Sequence, residues 1–280
     1  MSEPYVVCVG LATLDTILAV PRHPMPDERV VASALVEAGG GPAATAAVTL
    51  TRLGVRAYFV GAVADDSVGR RVRADLEREG VDVSELSLVP GARSPQSTII
   101  VDDSSATRTI VAFAGSMPDL ALSDRARELC AGAAWVHVDH VGYAAAPRGV
   151  PLSIDGGNPI DRLHLDGVAV YAPTESALRE QYGDARAALD AGAELVVVTR
   201  GERGSAAYGR DGTTIEAPSR PVAAVSTLGA GDVFHGALLA ELVAGTPLDD
   251  ALAFANACAA MSCRALDARS AIPTRAEVAA

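Results

Sequence analysis

The 280 residues carry a net charge of −12, and all 23 cations are Arg, for the chain contains no Lys. This surplus of acid repels a phosphate backbone and argues against nucleic acid as a partner, while the missing amine excludes a Walker A loop, a Schiff-base lysine and pyridoxal phosphate chemistry. With 49% hydrophobic residues there is ample material for a buried core, in one large or two unequal α/β domains.

Residues 5 to 10 (YVVCVG) predict a strand covered on both faces, being Val-rich without strict alternation. Asp15 comes just after it and interrupts the only apolar N-terminal stretch. Since no run reaches about 18 apolar residues, neither a secretory leader nor a membrane span is expected, and the expected location is cytoplasmic. Residues 16 to 37 break the strand and helix rhythm. Gly39-Gly40-Gly41-Pro42-Ala43-Ala44 then leads into a helix predicted over 43 to 53; its small residues either let backbone approach a bound molecule or form a flexible turn. A strand over 57 to 64 and a helix over 67 to 79 follow. Residues 95 to 113 set Thr, Ile and Val around a polar DDSSAT turn, which predicts a hairpin and, with residues 16 to 37, a small satellite sheet.

A helix over 123 to 131 precedes a strand over 135 to 141 carrying His137 and His140, which either face a pocket or are hydrogen-bonded structural residues. Asp155, Gly156, Gly157 and Asn158 follow a further strand. A strand over 167 to 172, one helical segment over 174 to 191 and a strand over 194 to 199 complete the alternation of a parallel-sheet α/β protein. Residues 204 to 219 predict a second hairpin that turns at Asp211-Gly212. Phe234, Leu238 and Leu242 recur at four-residue spacing before Gly245 stops the helix; Thr246 and Pro247 predict the N-cap and first position of the next one, with Asp249 and Asp250 in its first turn. Cys8, Cys130, Cys258 and Cys263 lack CxxC spacing and are expected as buried free thiols.

The sharpest chemical feature is Ser226-Thr227-Leu228-Gly229-Ala230-Gly231-Asp232, directly ahead of an apolar helix. Gly229 and Gly231 let backbone amides approach an anion, and the helix adds the positive end of its dipole. Asp232 is placed either to take a proton from a hydroxyl that is being phosphorylated or simply to cap the helix. Thr199-Arg200-Gly201-Glu202-Arg203-Gly204 ends a predicted strand, the place where open α/β sheets bind ligands. A Rossmann dehydrogenase is excluded, because Gly10-Leu11-Ala12-Thr13-Leu14-Asp15 has one glycine where GxGxxG needs three.

Five segments in order, VVCVGLATLD, GGGPAATAAVTLTRLG, VGAVADDSVG, TRGERG and STLGAGDVFHGALL, resemble the ribokinase-like carbohydrate kinases, the PfkB family, over nearly the whole chain. The resemblance implies one ribokinase-like α/β domain over residues 1 to 280, with a mainly parallel central sheet flanked by helices. It also implies a small β-sheet lid from segments of about 16 to 37 and 95 to 113, and a homodimer formed through that lid, which would cover exposed sheet edges. ATP is the implied phosphoryl donor, with Mg2+, and a sugar hydroxyl the acceptor. The implied base is Asp232, with Gly229, Ala230 and Gly231 as the anion hole. Asp15, Gly39, Gly40 and Gly41 match substrate-contacting positions; Thr199, Gly201 and Gly204 match nucleotide-contacting ones, and Asn256 matches a residue near adenine.

The departures from the family pattern are specific. Ser226 stands where the family has an Asp tied to monovalent-cation binding, and the loop around Asp267 to Ala271 is altered too, so support for potassium activation is withdrawn. The NxxE motif reads Thr174-Glu175-Ser176-Ala177, which leaves the magnesium ligands unassigned, with Glu175 and Asp155 as candidates. The GGGPAATAA, SPQSTIIVD and DVFHGAL segments look most like the sulfofructose kinase branch. A sulfonate or phosphate on the substrate would need cationic partners, for which Arg29 and Arg108 are candidates or else ordinary surface charge. Two other readings stay open: a nucleoside kinase of the same fold, for which 11 aromatics are few, and a binding or regulatory homologue that has lost turnover.

Overall fold

Side chains alternate across the first strand so that Val6 and Cys8 enter one apolar layer and Val7 and Val9 another. All four are fully buried, as a strand sandwiched between helices requires. The computed structural model describes residues 3–279. Its first third comprises β1 (Tyr5–Val9), β2 (Thr13–Val20), β3 (Ala34–Gly40), α1 (Pro42–Arg52), β4 (Arg56–Ala64), α2 (Ser67–Arg78) and β5 (Leu86–Val89). The middle comprises β6 (Gln96–Asp102), β7 (Arg108–Phe113), α3 (Asp124–Gly132), β8 (Trp135–Val138), β9 (Leu152–Gly156), β10 (Val170–Pro173), α4 (Glu175–Gln181) and α5 (Ala185–Asp190). The last part comprises β11 (Leu195–Thr199), β12 (Ser205–Gly209), β13 (Thr214–Ala217), α6 (Ala230–Ala244), α7 (Leu248–Ser262) and α8 (Arg275–Ala279).

Nine strands form the large sheet in the order β13-β12-β11-β10-β9-β8-β1-β4-β5, parallel except for the β12 and β13 edge. Residues of α1, α2, α6 and α7 fill the layer on one face, and residues of α3, α4 and α5 fill the other. The predicted α/β architecture with a separate small sheet is therefore observed. That small sheet runs β3-β2-β6-β7, and β2 pairs with β6 in parallel while β2 with β3 and β6 with β7 are antiparallel. Its core unites Ile17, Ile99 and Val101 with Leu228 and Ala268, so the sheet packs on the segment that opens α6.

Several sequence expectations need correction. The satellite strand β2 begins at Thr13, so Asp15 lies inside it and the small sheet starts ahead of the expected residue 16. The helical segment over 174 to 191 is two helices, because Gly183 takes φ 85° and Asp184 caps α5 by accepting from the Ala187 amide at 2.8 Å. The strand over 135 to 141 ends at Val138, where Asp139 turns the chain. Pro247, with extended ψ 144°, occupies the N-cap position of α7, and Thr246 instead donates its hydroxyl to Glu241 at 2.7 Å. Strand β5 was not visible in the sequence pattern. The hairpin at Asp211-Gly212 is present as β12 and β13, and the four cysteines are buried free thiols.

Candidate active site

The turn ahead of α6 is built by backbone constraints. The amides of Val225 and Ser226 both donate to the Cys263 carbonyl, and the buried Ser226 hydroxyl accepts from the Leu228 amide at 3.2 Å. Gly229 then takes the left-handed conformation, φ 72°, and a Cβ there would overlap Ala268. No side chain caps α6; the Ala230 amide makes only a long 3.4 Å bond to the Thr227 carbonyl, and the Gly231 and Asp232 amides have no acceptor among the described residues. Gly231 is exposed and faces open space. Asp232 is the third residue of the helix and keeps partial contact with solvent. Withdrawal from water, followed by the charges of Asp155 and Asp139, pushes its carboxyl up to about 7 against the opposing pull of His235 and Arg108.

Behind Asp232 lies a buried cluster. His235, one turn further along α6, brings Nδ1 to 3.1 Å from Asp155 Oδ2, with side-chain exposures of 4% and 5%. Burial alone would raise Asp155; the charge of His235 beside it overcomes this and holds it down at about 2. Burial likewise works against protonation of His235, and the same Asp155 carboxylate raises its pKa nevertheless. His137 on β8 stacks edge-on against His235 at 5.6 Å between ring centroids, and burial takes it down to about 3.

A second acid, Asp139, pins the framework. Its carboxylate accepts from the amides of Leu11 at 2.8 Å, Ala43 at 3.2 Å, Val141 at 2.9 Å and Gly142 at 3.0 Å. It thereby ties the exit of β1 and the start of α1 to the end of β8. Gly41, φ 93°, is the N-cap of α1, and a side chain there would meet the Leu11 carbonyl. Gly39 and Gly40 end β3, where their missing side chains leave room for Arg269 and Asp15. Asp15 is buried and accepts from Thr13 Oγ1 at 2.9 Å; burial raises its pKa, with Thr13 and Arg269 opposing. Arg269, itself buried, donates to the Gly40 carbonyl at 2.8 Å and to Thr45 Oγ1 at 3.2 Å. Desolvation lowers its pKa to about 10, and both Asp15 and Asp232 favour its charged form, so Arg269 links the two acids electrostatically.

Two strands along the same sheet edge from β9, Thr199 ends β11, and Gly201, φ 61°, and Gly204, φ 81°, bound a single helical turn. Gly204 must lack a side chain because one would strike the Ala217 carbonyl. Asn256 is enclosed beside them, its amide donating to Ser205 Oγ and the Ala217 carbonyl at 3.0 Å and to the Pro218 carbonyl at 3.3 Å. It shapes this wall from within. Glu175 is engaged by Arg203 at 2.5 Å. Arg29 lies in the exposed loop after β2, with no hydrogen-bond or ion-pair partner among the described residues, whereas Arg108 reaches Thr227. A hollow of about 390 Å³ lined by Glu194, Arg210 and Leu248 opens at the other end of β11, away from all of these acids.

Sequence reading did not single out Asp139 or Arg269, and it quoted His235 only within a motif. No local spacing betrays Asp139, whose partners Leu11 and Ala43 are 128 and 96 residues distant. Arg269 lay in a stretch noticed only for its departure from expectation.

No helix among the described residues is long and apolar enough to cross a membrane. The chain is 33% identical over 280 residues to a fructokinase of Salmonella typhimurium, a match covering 85% of this chain and 90% of that protein. It is 28% identical over 295 residues to the ketohexokinase of Mus musculus, covering 94% and 97% respectively. The solved structure of Arabidopsis thaliana ribokinase complexed with ribose and ATP superimposes with a TM-score of 0.84 at 26% identity, covering 99% of this chain and 98% of that one. Residues 3–153 and 172–275 match the model of the pfkB family carbohydrate kinases, and the chain belongs to that family.

Proposed function

We propose that the protein is an ATP-dependent kinase that phosphorylates a hydroxyl of a sugar or sugar derivative, with Asp232 as the general base. One observation carries the reading: a carboxyl poised near neutrality stands in the first turn of a helix whose leading amides are uncapped. In the proposed step the sugar oxygen forms a bond to the γ-phosphorus, its proton passes to the Asp232 carboxylate, and the bond from that phosphorus to the ADP oxygen breaks. The amides of Gly229, Ala230 and Gly231 hold the negative charge on the moving group. Asp15 and the Gly39 to Gly41 turn orient the sugar, and Thr199, Gly201 and Gly204 receive the nucleotide, with Asn256 fixing that wall.

The small sheet acts as a lid that keeps water from the phosphoryl group, and Arg108 brings a cation from it to the anion turn. This supports a phosphate- or sulfonate-bearing substrate, as in the sulfofructose kinase branch; Arg29 joins only if its loop moves. The exposed Leu35, Val111 and Phe113 share the outward face of the outer strands and support dimerisation of a second copy on this sheet.

Magnesium enters as the MgATP substrate. As a resident ion it does not fit the acids present: Asp155 faces His235 and accepts the Gly157 amide at 2.8 Å, and Glu175 is held by Arg203. Magnesium instead favours oxygen donors and retained water. The test is ADP release by purified protein with MgATP across hexoses, pentoses, their phosphates, sulfosugars and nucleosides. Phosphorylation of a sugar is expected. Turnover of nucleosides alone would move the reading to a nucleoside kinase, and sugar binding without any turnover would leave only a binding protein.

A further inference from the structure

We propose that His137, Asp155 and His235 form a binding site for one late first-row transition-metal dication of the zinc or cobalt class. The three donors come from three elements and lie within 4.8 Å of one another, all buried. Sheet register makes two of them neighbours: His137 pairs with Ser153, and Asp155, two residues on, points to the same face of β9. α6 brings the third over that face.

The polar accounting points to a ligand. His137 is fully buried, and its Nε2 has no hydrogen-bond partner among the described residues. His235 Nδ1 already stands 3.1 Å from Asp155 Oδ2, so these two groups lie together as further donors beside it. An interior nitrogen left unpaired is costly and uncommon, and an ion held by His137 Nε2 would satisfy it. His137 also has the outer partner that a ligating imidazole needs: its Nδ1 lies 3.2 Å from Ser153 Oγ, and in the tautomer that donates there Nε2 is free to ligate.

Two imidazoles and one carboxylate suit zinc or cobalt and disfavour magnesium. Ion to donor distances of about 2.0–2.2 Å require the side chains to adjust about a common centre, and three protein donors leave a tetrahedral ion one position for water.

The experiment is titration of the purified full-length chain with Co2+, followed by visible absorption and calorimetry, with His137→Gln, Asp155→Asn and His235→Gln in parallel. One Co2+ per chain is expected, with a ligand-field band that excess Mg2+ leaves in place. His137→Gln should weaken uptake beyond the roughly 100-fold that losing an outer-shell partner costs. No uptake, uptake indifferent to His137→Gln, or displacement by equimolar Mg2+ would overturn the proposal. Crystals of the unaltered protein soaked in Zn2+ give a test independent of variant folding: an anomalous peak among the three side chains supports the site, and no peak there refutes it. Metal uptake is read without turnover, so its failure and that of the kinase reading stay separable.

Discussion

Arg108 Nη1 donates to Thr227 Oγ1 across 2.8 Å, joining the first residue of the outer strand β7 to the turn that opens α6. The same guanidinium lowers the pKa of Asp232. Arg108→Ala should therefore reduce kcat/KM by about 10- to 100-fold, the scale of a hydrogen bond to a charged group. It should also move the acid limb of the pH profile upward. Steady-state kinetics over a pH series would show both, and an unmoved limb would remove Arg108 from the site.

Asp232→Asn keeps the shape of the side chain while losing its basicity. Turnover should fall by about two to four decades with sugar binding retained, as measured by ADP release and calorimetry. Near-normal turnover would assign the base elsewhere.

A base must be ionised to accept a proton, so the pKa of about 7 at Asp232 predicts that kcat/KM rises with pH up to about 7 and then levels. An acid limb in the ordinary carboxylate range would contradict the burial argument. Stability follows with its own sign. Between the ordinary value of 3.8 and about 7 the folded chain holds a proton that the unfolded chain has lost, so stability falls as pH rises through that window. Asn does not titrate. Asp232→Asn should thus melt a few degrees above the parent at pH 8, with the gain fading toward pH 4.

Gly229 and Gly231, two positions apart, separate fold from ligand space. Gly229→Ala forces a left-handed backbone and an overlap with Ala268, and should cost about 1–3 kcal/mol in denaturant unfolding. Gly231→Ala points into open space and should fold normally while raising the KM for ATP about tenfold or more. Equal effects on stability would undo the distinction.

Val111→Asp places a charge on the outward face of the exposed outer strand of the small sheet. Light scattering after size exclusion should show a dimer for the parent and a monomer for the variant. A monomeric parent would mean that this apolar face serves another purpose.

Alternation of Val-rich runs with helical segments was enough to read the parallel sheet, because a strand covered on both faces needs an apolar residue at every position. The glycine turn before α6 was legible for a similar reason: Gly229 must adopt a backbone conformation that other residues resist. The break at Gly183 and the start of β2 at Thr13 escaped, since both depend on pairing and capping that the local pattern does not encode. Sequence by itself thus determined the architecture and the likeness to a kinase. Only the tertiary structure decided that Asp139 clamps Leu11 and Ala43, that Arg269 underlies the Gly39 and Gly40 turn, and that His235 meets Asp155 behind Asp232. The physical reason is that burial and charge–charge coupling arise between residues far apart along the chain, and no window of sequence contains both partners.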